Sequence, residues 1–97
     1  MFTSKQRSNL RSLAQNITPV TQVGKGGVSE NLIKSLSDAL DARELIKISV
    51  LNNAENDARE IADEISAALG AETVAVIGKK IILYRKSDKK GVKHIEF

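Results

Sequence analysis

Residues 20–31 read Val-Thr-Gln-Val-Gly-Lys-Gly-Gly-Val-Ser-Glu-Asn. The β-branched run Val20 to Val23 ends in Gly24-Lys25-Gly26-Gly27, and Ser29 then stands where an amphipathic segment needs its N-cap. The order strand, glycine turn, helix is the opening half of a crossover unit, so this stretch decides the fold class. Three glycines in four positions strip the loop of Cβ atoms and let its backbone approach another molecule closely. The helix behind it aims unpaired N–H groups and the positive end of its dipole at the same place. With Lys25 inside the loop, an anion such as a phosphate is the natural guest. Glycines at a strand–helix turn also serve geometry alone, and the tetrapeptide by itself does not separate the two.

Upstream, Thr3-Ser4-Lys5-Gln6 reads as a capping box. Leu10, Leu13, Ala14 and Ile17 recur at i, i+3, i+4 and i+7, the apolar stripe of a first helix that Pro19 ends. Downstream, the second helix turns Leu32, Ile33, Leu36, Ala39 and Leu40 inward and runs out near Ala42-Arg43. Leu45 to Leu51 is a strand with Ile46, Ile48 and Val50 on one face; Lys47 and Ser49 on the other predict a half-exposed or edge strand. A third helix buries Ala58, Ile61, Ala62, Ile65 and Leu69, with Gly70 as its C-cap. Thr73–Ile77 and Ile81–Tyr84 form a hairpin across Gly78-Lys79-Lys80. The order α-β-α-β-α-β-β predicts an α/β domain with a four-stranded mixed sheet packed with helices. One domain spans residues 1–97, with a core over about 3–86 and a basic C-terminal tail, 87–97, that is a loose strap or disordered.

The net charge of +3 conceals a partition. Up to Lys34 five basic residues (Lys5, Arg7, Arg11, Lys25, Lys34) face only Glu30. From Ser35 to Gly78 three basic residues face nine acidic ones, and from Lys79 onward seven basic residues face two. If the chain ends meet, the fold has a basic face and an acidic back, which orients a protein on a polyanion. With no cysteine and no apolar run long enough for a signal peptide or membrane span, a cytoplasmic protein is expected.

Catalysis finds little support. The single histidine, His94, lies in the tail and reads as a solvated side chain. Glu60, Asp63 and Glu64 read as a solvated helix face, not a metal site. Gly-Lys-Gly-Gly lacks the frame of a nucleotide-binding P-loop. No enzyme activity, metal or cofactor is therefore expected. Binding is better served: Arg7 and Arg11 stand at i, i+4 off the apolar stripe, Lys79 and Lys80 at the hairpin tip, Arg85 and Lys86 beyond the last strand. Only Phe2, Tyr84 and Phe97 are aromatic, so base stacking has little to work with. Recognition of phosphates and shape remains, which favours structured RNA.

These residues resemble a known family. Thr-Ser-Lys-Gln-Arg-Ser-Asn-Leu-Arg-Ser-Leu-Ala, Pro-Val-Thr-Gln-Val-Gly-Lys-Gly-Gly-Val-Ser-Glu, Glu-Leu-Ile-Lys-Ile-Ser-Val and Val-Ile-Gly-Lys-Lys-Ile-Ile-Leu-Tyr-Arg stand in the order and spacing of YhbY-type CRM domains (chloroplast RNA splicing and ribosome maturation), over residues 3–86. The resemblance implies a fold similar to the C-terminal domain of translation initiation factor 3. It implies RNA binding through Gly24, Lys25, Gly26 and Gly27 with neighbouring basic residues, and association with large-subunit (50S) ribosomal precursors as an assembly factor. The family often carries a larger polar residue where this chain has Gly26. The rival expectation is a protein-interaction module whose acidic third helix docks a basic ribosomal protein; RNA or DNA binding without a ribosomal role is a further alternative, and a small hydrolase lacks a nucleophile–base pair.

Overall fold

The computed structural model describes residues 2–89, 91–92 and 94–97. In chain order it contains α1 (Ser4–Ala14), β1 (Thr21–Val23), α2 (Glu30–Arg43), β2 (Leu45–Val50), α3 (Ala58–Leu69), β3 (Glu72–Ile77) and β4 (Lys80–Tyr84). The strands form one sheet in the order β1-β2-β4-β3. β1 runs parallel to β2, while β4 is antiparallel to both β2 and β3. The connection from β2 through α3 to β3 therefore leaves a gap one strand wide, and the hairpin folds β4 back into it. The turn is two residues long and opens on Gly78 at φ 57°, a conformation that favours glycine.

Period-two alternation divides the sheet into two faces. Ile46, Ile48, Val50, Ile81 and Leu83 pack with Leu36, Leu40, Ile61 and Ile65 of α2 and α3. Leu45, Ile82, Tyr84 and Val74 pack with Leu10 and Ala14 of α1 on the other side. Truncating a wholly buried leucine such as Leu36 or Leu40 to alanine would cost about 2–5 kcal/mol. All three helices start where local chemistry dictates. Thr3 and Gln6 form the reciprocal capping box, Ser29 accepts from the Leu32 N–H and Asp57 from the Glu60 N–H.

Three expectations need correction. α1 ends at Ala14, not Ile17, and Leu13 is 45% exposed, because the helix buries only the i, i+4 pair Leu10 and Ala14. β2 is a central strand, so of the two alternatives the edge falls and the half-exposed face holds at Lys47, while Ser49 is buried. The tail is tied down. Glu44, wholly buried at the C-cap of α2, accepts from the backbone N–H groups of Ser87 (2.6 Å) and Ile95 (2.8 Å) and pairs with His94 Nδ1 at 2.6 Å. Phe97 then closes edge-to-face on Phe2 and Tyr84. The tail's Lys90 and Lys93 lie outside the described residues.

Glu44 has φ 65°, a region that disfavours a side chain and costs on the order of 1–3 kcal/mol. Its carboxylate recovers this by holding the strap. Burial, the largest single influence, pushes its pKa up. The Ser87 N–H, the His94 hydrogen bond, the Ile95 N–H and the charge on His94 together outweigh burial and hold the carboxyl below its usual 4.5.

Candidate nucleic-acid interface

The sheet topology brings several chain segments to one end. β1 and β2 run parallel, so the loop after Val23 and the loop after Val50 leave the sheet side by side, and both feed helix N-termini. β4 runs the other way and begins at that end, which places the hairpin tip there too. Val50 N–H donates to Lys79 O at 2.7 Å and Leu51 N–H to Val23 O at 2.8 Å, locking the three segments together.

Two of the three loop glycines are required by the geometry, for different reasons. The Gly27 N–H donates to Gly24 O at 3.0 Å, closing a turn with Lys25 and Gly26 at its tip. Gly27 has φ 65° and so supplies the left-handed residue of the turn. A Cβ on Gly24 would stand 3.1 Å from both Asn53 Oδ1 and Leu51 Cδ1, so Gly24 permits the neighbouring loop to approach. Gly26 has neither constraint: a Cβ there meets open space. The loop faces Ala54, Glu55 and Asn56 across a narrow cleft floored by Ile61. Beyond Gly27, Ser29 caps α2, whose first turn carries Glu30.

The basic residues divide into two groups. Lys25 is exposed on the loop, Lys79 donates to the side-chain oxygen of Asn52, and Lys80 Nζ donates to Ser49 Oγ at 2.7 Å; all three stand at the loop end. Arg11 joins them from α1, sharing a hollow with Lys80. Lys47, which no basic run marks in the sequence, lines the same hollow. The one sequence signal for it is alternation, which puts it on the strand face opposite Ile46 and Ile48.

Arg7, Arg85 and Lys86 do not belong to that group, and the expected single field around the loop is corrected accordingly. Tyr84 pairs with Leu45, so Arg85 and Lys86 follow β4 at the far end of the sheet. The Arg85 guanidinium donates to Leu69 O, Ser37 O, Ser37 Oγ and Asp41 Oδ1 at 2.9–3.0 Å, clamping α2, α3 and β4. Arg7 Nη1 donates to Thr73 O and Val74 O, each at 2.7 Å, where a register shift between Thr73 and Ala75 interrupts the edge strand β3. Its guanidinium carbon also lies 5.9 Å from the Phe2 ring centroid. Both arginines serve the protein's own groups, Arg7 two carbonyls and Arg85 two carbonyls, a hydroxyl and a carboxylate.

Among the described residues, no cluster of carboxylate, histidine or cysteine side chains has the arrangement of a metal site, and no helix is long and apolar enough to cross a membrane. A hollow lies between α2 and α3, with Val28, Ile33 and Leu69 in its lining and Glu30, Asp38 and Glu64 beside Lys34 and Arg85 as its charges. It opens on the side of the sheet opposite α1.

Comparison with known proteins bears on this arrangement. The model of the CRS1 / YhbY (CRM) domain matches residues 2–85. The chain is 48% identical over 87 residues to the "Probable RNA-binding protein YqeI" of Bacillus subtilis, spanning 90% of this chain and 91% of that one. It is 31% identical over 88 residues to an "RNA-binding protein" of Haemophilus influenzae, spanning 91% and 89% of the two chains. The solution structure of SAV1595 from Staphylococcus aureus superposes with a TM-score of 0.77 at 50% identity, covering 93% of this chain and 94% of the other. The chain belongs to the CRS1/YhbY (CRM) domain family.

Proposed function

We propose that this chain is a non-catalytic RNA-binding protein that associates with ribosomal RNA in large-subunit precursors as an assembly factor. The observation that carries the RNA reading is the gathering, at one end of the sheet, of an open glycine turn, a serine-capped helix N-terminus and exposed or outward-reaching lysines. The Gly24–Gly27 backbone and the first turn of α2 hold a phosphate, while Lys25, Lys79, Lys80 and Arg11 surround it with positive charge. Glu30 and Glu55 border the loop and penalise a phosphate that strays from it. Arg7 and Arg85 contribute by holding the scaffold. The names of the Bacillus and Haemophilus relatives support RNA as the polyanion. The ribosomal role rests on the family resemblance.

The loop is tested by Lys25→Ala. Binding to a transcript of large-subunit ribosomal RNA weakens, and the slope of log affinity against log salt falls by about one unit. An unchanged slope removes Lys25 from the footprint. The ribosomal role is tested by crosslinking the protein to RNA in cells and sequencing the attached fragments. Enrichment of large-subunit ribosomal RNA is expected; reads spread evenly over unrelated transcripts would defeat it.

One observation favours a second reading. The hollow between α2 and α3 carries Glu30, Asp38 and Glu64 against Lys34 and the Asp41-paired Arg85, an acidic balance that suits a basic protein segment. Reversing Asp63 and Glu64 to lysine leaves RNA binding intact under the first reading and abolishes a protein contact under the second.

A further inference from the structure

α1 covers one half of its sheet face and leaves the other without a helix, where Gln22 and Lys80 are exposed and Ser49 lies buried beneath Lys80. Leu10 and Ala14 lie on Leu45, Val74, Ile82 and Tyr84, toward the end remote from the glycine loop. The helix then stops, and the chain crosses to β1 through Thr18 and Pro19. On the open half, register aligns one row across all four strands. Gln22 is opposite Ser49, Ser49 opposite Lys80, and Lys80 opposite Ile77. Residues directly opposite share a face, so this row is a continuous strip. With strands about 4.8 Å apart, it is roughly 14 Å long. Lys47 stands one step back, opposite Ile82.

Around the strip cations, amides and hydroxyls stand beside the apolar Ile77 and Ile82. Two adjoining hollows share Lys80; one is lined by Thr18, Gln22 and Ser49, the other by Arg11, Gln15 and Lys47. Three cations line them and no carboxylate does. Among the described residues neither the Arg11 nor the Lys47 side chain makes a hydrogen bond or ion pair, in contrast to those of Arg7 and Arg85. Ile77, 49% exposed, closes the strip at the β3 edge. No aromatic residue lines either hollow, so bases have nothing to stack on. Cations beside amides and hydroxyls match a sugar–phosphate backbone: charge for the phosphates, neutral donors and acceptors for ribose 2′-hydroxyls.

We propose that this uncovered half-sheet is a second RNA contact, continuous with the glycine loop through Gln22 and Val23. Arg11, Lys47 and Lys80 bind phosphates there, and Gln22 bonds a ribose 2′-hydroxyl. The proposal rests on the reading of the protein as an RNA binder, and it assigns to Lys47 and Gln22 roles that the loop alone does not require. The RNA leaves the glycine loop on the α1 side, away from the acidic surfaces of α2 and α3.

The test compares single variants of the full chain in salt titrations against a large-subunit ribosomal RNA transcript and a DNA strand of the same sequence. Lys47→Gln is expected to lower the salt slope by about 0.7–0.9 units, one phosphate contact. Gln22→Ala is expected to narrow the preference for RNA over DNA at an unchanged slope. Arg59→Gln, on the exposed side of α3, controls for net charge and leaves the slope alone. Because Lys47 is half-buried, Lys47→Met, which keeps the alkyl stem, replaces Lys47→Gln if the latter melts early. A normal slope for a folded Lys47 variant, with a reduced slope for Lys25→Ala, overturns the half-sheet contact and leaves the loop standing. A reduced slope for Lys47 with none for Lys25 supports the half-sheet and removes the loop. Normal slopes for both defeat both assignments.

Discussion

Replacing Glu44 by alanine tests how the fold is closed. Its carboxylate receives three contacts, from Ser87 N–H, His94 Nδ1 and Ile95 N–H, at 2.6–2.8 Å, and no part of the residue reaches solvent. A hydrogen bond to a charged group contributes about 1.5–3 kcal/mol, and one severed inside the core leaves its partner stranded. The donors here belong to a chain end that lifts off and rehydrates, so the full sum is not lost. One to two such bonds, together with the contacts of Phe97 on Phe2 and Tyr84, give about 3–4 kcal/mol for Glu44→Ala. For a domain of this size that is a fall in Tm of roughly 12–30 °C. Alanine does not relieve the positive φ either, since it too carries a Cβ. Urea denaturation followed by circular dichroism measures the loss, and hydrogen exchange at the Ile95 amide reports release of the strap. The pH dependence adds a sign. The folded carboxyl titrates below the unfolded value near 4.5, so its stabilisation is complete above that pH. It disappears as pH falls through the folded value, and the gap between wild type and Glu44→Gln closes with it. A loss under about 1 kcal/mol, or a gap as wide at about pH 3 as at pH 7, would refute this reasoning.

Further outcomes follow from the loop and the two clamps. Gly26→Lys places a side chain in open space at an unstrained position, so stability changes by less than about 0.5 kcal/mol. The same variant steepens the salt slope of RNA binding by about one unit. Gly27→Ala forces a Cβ onto φ 65° and costs about 1–2 kcal/mol by urea denaturation, although its site is equally open. Arg85→Met keeps the stem and removes four hydrogen bonds; stability falls by about 2–3 kcal/mol while the RNA salt slope is unchanged, because the group lies at the far end of the sheet. A lowered slope for Arg85→Met would place it in the footprint instead.

Much of this molecule is local enough to read along the chain. Capping at Thr3 and Ser29, the apolar spacing of α3, Gly70 after its last turn and the hairpin about Gly78 each depend on residues a few positions apart, and they form as their spacing requires. The partition of charge is likewise written in order. What each charge does is not. Arg7 and Arg11 stand four residues apart on one helix, yet Arg7 bonds a bulged strand distant in sequence and Arg11 overhangs an open face. Lys47 lies in the acidic middle of the chain and joins the basic group only because β2 and β4 pair in one register. Glu44 and His94 carry no local signal at all, being 50 positions apart and meeting only when the strap closes. Helices, caps and turns follow from spacing, since neighbours along a chain are neighbours in space. The division of the cations into scaffold clamps and a free strip was decided by strand order and by how far one short helix reaches across the sheet, and both are properties of the packed whole.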